Sequence, residues 1–328
     1  MQGISGTRVG IVGTGIMGGH HTRVASMLPG CTLVGLFDTD ATRAEYVAQQ
    51  YNITAFRTCE ELCAAVEAVI IATPTFTHAG VAELCLQAGC HVLVEKPIAA
   101  TADEAEKLVE LSGKTDRVLM VGHVERFNPA VSTLLTALED EEMIAAEAVR
   151  LSPTPGRDQS ADVIFDLMIH DIDLALACTR SLPVQVEAVG HRVRGPLIDH
   201  AVALVRFAGD ATFTLTASMV SQERARKLRV LTRTAQFTVD CASREVWVQR
   251  MGTSTVHSPE ARPYPAALVE QLTVPARDPL AQEQEHFLQA IRAGSEPVTN
   301  AAMGLQAVRM AEMIQERIGE TVVTGTAK

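Results

Sequence analysis

The run Arg8-Val9-Gly10-Ile11-Val12-Gly13-Thr14-Gly15-Ile16-Met17-Gly18 sets an apolar, β-branched stretch directly before three glycines in the order G-x-G-x-x-G. A helical pattern, Gly18–Met27, follows at once. In that context each glycine has its own reason: Gly13 for a tight turn, Gly15 for close approach of a pyrophosphate to the backbone, and Gly18 for close packing of helix on strand. The free N–H groups of the helix N-terminus then face the phosphates. A second apolar stretch, Cys31–Phe37, ends in Asp38, about 20 residues beyond Gly18, where a carboxylate can accept hydrogen bonds from the ribose hydroxyls of an adenosine. Strand, turn, helix and acid together predict a dinucleotide site rather than a glycine turn of some other α/β protein. Asp38 and Asp40 would repel an additional 2′-phosphate and no arginine directly follows the acid, which favours NAD, while Arg43 leaves NADP open.

From Arg8 to about Gly122 the same grammar repeats. Arg8–Val12, Cys31–Phe37, Ala68–Ala72, His91–Val94 and Val118–Val121 read as strands. Between them, Gly18–Met27, Thr42–Tyr51, Glu60–Val66, Thr77–Ala88 and Ala102–Gly113 read as helices. That alternation predicts an open, doubly wound parallel sheet, a Rossmann domain over residues 1–122. After His123 the order changes. Asn128–Glu139 and Val163–Thr179 read as helices, and then Val184–Arg194, Ala201–Phe207, Thr212–Ser221, Lys227–Thr232, Gln236–Asp240 and Glu245–Gln249 follow one another as strands. Many alternate apolar with polar, as an antiparallel sheet with one wet face does. Thr253–Ala267 reads as a loop, and Glu283–Ala293 and Ala301–Ile318 as closing helices. The fold class is therefore α/β plus α+β: a Rossmann domain, then over residues 123–328 a substrate-binding and oligomerisation domain with a large, mostly antiparallel sheet.

Composition narrows the partners. A net charge of −11 over 328 residues argues against nucleic acid or an anionic membrane, both of which favour a positive surface. A small anionic substrate needs only a local cluster such as Arg224, Arg226, Lys227 and Arg229, although a solvated strand face accounts for most of that cluster. The seven cysteines lack CxxC spacing and read as buried apolar filler. A short polar start, Met1–Arg8, and the absence of a run of about 18 apolar residues predict neither a leader nor a membrane span, hence a cytoplasmic protein.

Two groups of residues carry chemistry. Thr73-Pro74-Thr75 ends a third strand with His78 at the next helix start, and Glu95-Lys96-Pro97 follows a fourth, all at the carboxyl edge where such sheets bind ligands. His78 is either a cofactor residue or a solvent-facing helix start. Asp166, His170 and Asp173 are spaced i, i+4, i+7 and share one face of a regular helix. Oxidising a secondary alcohol requires a nicotinamide to take hydride and a side chain to take the hydroxyl proton near neutral pH. His170 titrates in that range and is the expected acceptor, oriented by Asp166 or Asp173, with Lys96 holding the hydroxyl. Lys96 itself is the other candidate base. A zinc or iron site at Asp166, His170 and Asp173 is the rival reading, and hydride transfer needs no metal where a lysine is at hand. A purely supporting role for that helix is the bland one.

At this point the sequence resembles the Gfo/Idh/MocA oxidoreductase family over essentially its whole length. The glycine-rich start, Glu95-Lys96-Pro97 and Asp166-Leu167-Met168-Ile169-His170-Asp171-Ile172-Asp173 carry the resemblance. Asp278-Pro279-Leu280 with Glu283, His286-Phe287 and Ala290-Ile291 is similar to the opening of the family's C-terminal helix. Met168 stands where the family commonly has glycine. Within the family, Gly122–Pro129 and Asp166–Asp173 most resemble the members that oxidise the 3-hydroxyl of UDP-N-acetylglucosamine ahead of an aminotransferase. The resemblance implies NAD contacts from Gly13, Thr14, Gly15, Ile16, Met17, Gly18, Asp38, Thr73, Pro74, Thr75, His78, Glu95 and Lys96. It implies catalysis by Lys96, His170 and Asp166, with substrate contacts from Lys96, Arg126, Asn128, Asp166 and His170, no metal, and a homodimer or homotetramer. An inositol, free-sugar or other polyol dehydrogenase is the alternative activity, and a non-catalytic NAD-sensing regulator the alternative class.

Overall fold

The computed structural model describes residues 6–153, 162–251 and 267–321. Packing divides the chain into two units, Met1–Phe127 with Arg277–Arg309, and Asn128–Ala276 with Met310–Lys328.

The first unit is built on β1 (Thr7–Val12), β2 (Cys31–Phe37), β3 (Thr54–Ala55), β4 (Ala68–Ile71), β5 (His91–Glu95) and β6 (Leu119–Gly122). They pair in the order β3-β2-β1-β4-β5-β6, every pair parallel. β4 and β6 are buried along their whole length, which explains why they read as unbroken apolar runs. The connecting helices are α1 (Ile16–Ala25), α2 (Ala41–Tyr51), α3 (Cys59–Ala65), α4 (His78–Gln87) and α5 (Ala102–Thr115). Their starts are chemically marked. Asp40, Thr58 and Thr101 each accept the backbone N–H three residues on, as N-caps do. The strand order reverses between β1 and β4, which creates the switch point where ligands bind such sheets.

The helix Pro279–Ala293 (numbered α8 below) also belongs here. Asp278 caps it with Pro279 in the first turn, and its Phe287 and Leu288 are buried in one cluster with Val9, Ile11, Leu36 and Ile70 of the sheet. The His286 ring packs on Phe127 at 5.4 Å. A single cut near residue 122 therefore does not describe the packing, because an apolar stripe more than 150 residues further along the chain completes this core.

The second unit contains α6 (Pro129–Ala137), α7 (Ile169–Thr179) and eight strands: β7 (Met143–Leu151), β8 (Pro183–His191), β9 (His200–Phe207), β10 (Thr212–Ser218), β11 (Ala225–Thr232), β12 (Ala235–Asp240), β13 (Glu245–Met251) and β14 (Ala267–Leu272). The order is β14-β13-β12-β11-β7-β10-β9-β8, antiparallel throughout except where β7 runs parallel to β10. The α/β plus α+β class expected from the sequence is the one observed. The expected loop Thr253–Ala267 lies outside the described residues except for Ala267, which opens β14. The last helix, α9 (Ala301–Thr321), starts in the first unit and is counted with the second from Met310.

Candidate active site

The glycine turn has the geometry its sequence demands. Gly13 has φ +88°, and a Cβ there would stand 2.6 Å from the Ala72 carbonyl oxygen at the end of β4. A Cβ at Gly18 would overlap the Gly13 carbonyl. At Gly15, by contrast, a Cβ meets nothing within 4 Å, and Gly15 is also the N-cap of α1 and brings no side-chain cap. The first turn of a helix has N–H groups with no acceptor inside the helix, so this open cradle fits a pyrophosphate. Ile16 and Met17 are exposed beside it, Ile16 at 69%.

Asp38, buried at the end of β2, receives four hydrogen bonds. The Thr14 N–H and hydroxyl donate to its Oδ2 at 2.7 and 2.8 Å; the Asp40 N–H and the Arg43 guanidinium donate to its Oδ1, each at 2.9 Å. Burial works to raise this carboxyl, but Arg43 and the backbone donors outweigh it and hold it at about 2. The acid stays ionised, and it holds the Arg43 guanidinium against it.

The loops after β4 and β5 are joined by His78. Its Nδ1 lies 2.7 Å from the Pro97 carbonyl and its Nε2 2.8 Å from the Thr73 carbonyl, and the ring is buried. It is neither solvent-facing nor open to a ligand, because the start of α4 sits between two adjacent carboxyl strand ends and its side chain ties them together. Thr73 and Thr75 are half-buried and Pro74 is exposed on this edge. Next to them Phe76 is 76% exposed, an aromatic at the switch point that carried no signal in the sequence reading. Lys96 is half-buried just past β5, and its N–H donates to the Glu95 carboxylate at 3.2 Å. Arg126, in the short turn Val124–Phe127, donates to the Val298 carbonyl at 3.4 Å. A cavity of about 610 Å³ lies at the opposite edge of the sheet, by Thr7, Glu67, His91 and Arg117, where strands begin rather than end. It is not the dinucleotide site.

In the second unit, Asp166 lies in a single π-helical turn, Ile164–Met168, that runs into α7. The wider turn breaks the even face that i, i+4, i+7 spacing implies. Asp166 and His170 are half-buried, while Asp173 is 0% exposed in the core. Turns of this kind are frequent at functional sites. Asp171, next to His170, forms a buried bidentate pair with Arg150 of β7 at 2.9 and 2.8 Å. Asn128 caps α6, accepting the Ala130 N–H and donating to the Cys241 carbonyl, so its buried amide serves the fold rather than a ligand. Its sequence signal was the Asn-Pro pair, a helix-start signature.

A family model described as an oxidoreductase family with an NAD-binding Rossmann fold matches residues 7–123, and one described as the Gfo/Idh/MocA C-terminal domain matches residues 147–238. The chain belongs to the Gfo/Idh/MocA oxidoreductase family. UDP-N-acetylglucosamine 3-dehydrogenase of Acidithiobacillus ferrooxidans is 37% identical over 286 residues, covering 87% of this chain and 89% of that protein. Inositol 2-dehydrogenase of Rhizobium meliloti is 27% identical over 331 residues, covering 95% and 97%. The solved structure of the Acidithiobacillus enzyme superposes with a TM-score of 0.90 at 34% identity, covering 96% of this chain and 98% of that one.

As a Gfo/Idh/MocA protein the chain is an NAD-dependent oxidoreductase, and bound NAD supplies the hydride acceptor. Asp38→Ala is expected to weaken NAD about tenfold or more, through the loss of a charged acceptor, and to release Arg43 toward a 2′-phosphate. Binding titrations with NAD and NADP measure this; an unchanged preference would refute the assigned role of Asp38.

Proposed function

We propose that this oxidoreductase converts the 3-hydroxyl of UDP-N-acetylglucosamine to the 3-keto sugar ahead of an aminotransferase. The observation that carries this reading is the 37% identity to an enzyme of that name over 87% of the chain. Lys96 binds the substrate hydroxyl and favours its ionised form. His170 accepts the hydroxyl proton and Asp166 orients the imidazole; NAD, when bound, would take the C–H hydrogen as hydride. Gly13 to Gly18, Thr73 to Thr75 and Asp38 hold the dinucleotide, and Arg126 is the proposed grip on the diphosphate. The test is incubation with NAD and UDP-N-acetylglucosamine while following the absorbance of reduced cofactor. Reduction with inositol or a free sugar and none with the nucleotide sugar would replace this reading by the polyol dehydrogenase one, which the full-length likeness to inositol 2-dehydrogenase favours next.

Among the described residues no helix is long and apolar enough to cross a membrane, and all seven cysteines are free thiols. Free thiols suit a reducing compartment, which supports a cytoplasmic location. Val189, Leu204 and Leu231 are exposed on the second unit's sheet, which supports a homodimer or homotetramer, to be measured by sedimentation.

A further inference from the structure

Three side chains far apart in sequence converge under the Glu95-Lys96-Pro97 turn: His21 of α1, Glu95 of β5 and Glu283 of α8, with one ligand-type atom from each lying within 4.8 Å of the others. His21 and Glu283 are 0% exposed and Glu95 is buried. Their hydrogen bonds are unequal. Glu95 accepts from the ring of His21 at 2.8 Å and from the Lys96 N–H at 3.2 Å. Both carboxyl oxygens of Glu283 are without a hydrogen-bond partner.

The protons can be placed. The Gln284 amide nitrogen lies 3.2 Å from the His21 carbonyl oxygen, which can only accept, so this end of the amide is the NH₂ group. The same nitrogen is 3.0 Å from His21 Nδ1, which is therefore an acceptor. The ring proton sits on Nε2 and is donated to Glu95. A metal ion at Nε2 would need the reverse tautomer, with Nδ1 donating, so the trio is arranged to share protons rather than to bind a cation.

Two buried carboxylates this close cannot both remain charged. Burial raises the Glu95 carboxyl, but the His21 hydrogen bond, with the charge of Lys96, outweighs that and keeps it below the usual range. Burial and then the charge of Glu95 push Glu283 well above it. Besides Glu95, His21 is a titratable group close to Glu283.

We propose that Glu283 is a positioning residue which, as the neutral acid, donates a hydrogen bond to Glu95 and so fixes one buried carboxylate against the Lys96-Pro97 turn. The catalytic consequence rests on the role of Lys96 proposed above; the proton on Glu283 does not. Gly122 allows the close packing, since a Cβ there would lie 3.2 Å from the Glu95 backbone and 3.4 Å from its carboxyl.

Infrared spectra of the purified full chain at neutral pH are expected to show a protonated-carboxyl C=O band that Glu283→Gln removes and Lys96→Ala keeps. A band unchanged by Glu283→Gln overturns the proposal. In the folded protein the raised carboxyl binds its proton more tightly than in the unfolded chain, so it lowers stability progressively as pH rises above about 4.3, the ordinary Glu value. Glu283→Gln has no such proton, and its Tm relative to wild type is expected to climb with pH; a constant difference is the contrary result. In kinetics, Glu283→Ala is expected to lower kcat about tenfold with KM for NAD unchanged, and Glu283→Gln, which keeps a donor, to restore most of it. Equal losses in both variants also overturn the proposal. If Lys96→Ala instead turns over like wild type, the active-site reading falls while the infrared band still decides the state of Glu283.

Discussion

Lys96→Ala and His170→Ala are each expected to lower turnover by roughly a hundredfold or more while NAD affinity stays nearly intact. The reason is where the two residues sit. Lys96 stands past the carboxyl end of β5, but the cradle for the pyrophosphate is made by the turn after β1 and the ribose acid by the end of β2, so removing the ammonium leaves the dinucleotide contacts in place. His170 lies at the start of α7, in the second unit, whereas the residues of that turn and Asp38 belong to the first. Both residues act on one hydroxyl in the proposed mechanism, so the double variant should lose much less than the product of the single losses. Steady-state kinetics with saturating NAD, alongside NAD titration, reads both quantities. Unchanged turnover in both single variants would remove the mechanism, and a loss of NAD affinity equal to the loss of turnover would make Lys96 a cofactor residue.

The parts of this protein that were legible in sequence are those decided within a dozen neighbouring residues. A glycine whose Cβ would strike the next strand end, as at Gly13, leaves a mark that no packing can override, and strands such as β4 must be apolar because both of their faces are covered. Strand β7 left no such mark. Its sequence, Met143 to Leu151, holds three alanines with one glutamate and one arginine, which favour helix, and only pairing with β10 on one side and β11 on the other makes it a central strand. β3 is two residues long and too short to show a period. At the site, Lys96 and Asp38 could be placed because strand ends locate them, whereas His78 was read by its position at a helix start, which does not reveal that two carbonyls already occupy its ring. The trio under Lys96 was invisible for a different reason: His21 and Glu283 stand near opposite ends of the chain, and an amphipathic helix such as α8 can dock its stripe on any core.

The helix that carries His170 also yields the largest expected effect on stability, one residue further on. Asp171→Ala withdraws a bidentate carboxylate from the guanidinium of Arg150, and both side chains are almost wholly buried, at 4% and 7% exposure. Breaking a buried pair by deleting one partner costs about 3–5 kcal/mol, because the remaining charge keeps its desolvation without its counter-charge. In a unit of this size that corresponds to a fall in Tm of roughly 6–20 °C. His170→Ala, at a half-buried position, is expected to move Tm far less while turnover takes the large loss given above, so two adjacent substitutions should give opposite signatures. Thermal unfolding followed by circular dichroism measures the first effect. Replacing both partners with apolar side chains of similar volume, Asp171→Leu with Arg150→Met, is expected to recover most of the loss, since neither then buries a charge. If Asp171→Ala unfolded within a degree of wild type, the pair would not be what fastens α7 to β7, and the orientation of His170 would have to be set by the π-helical turn before it.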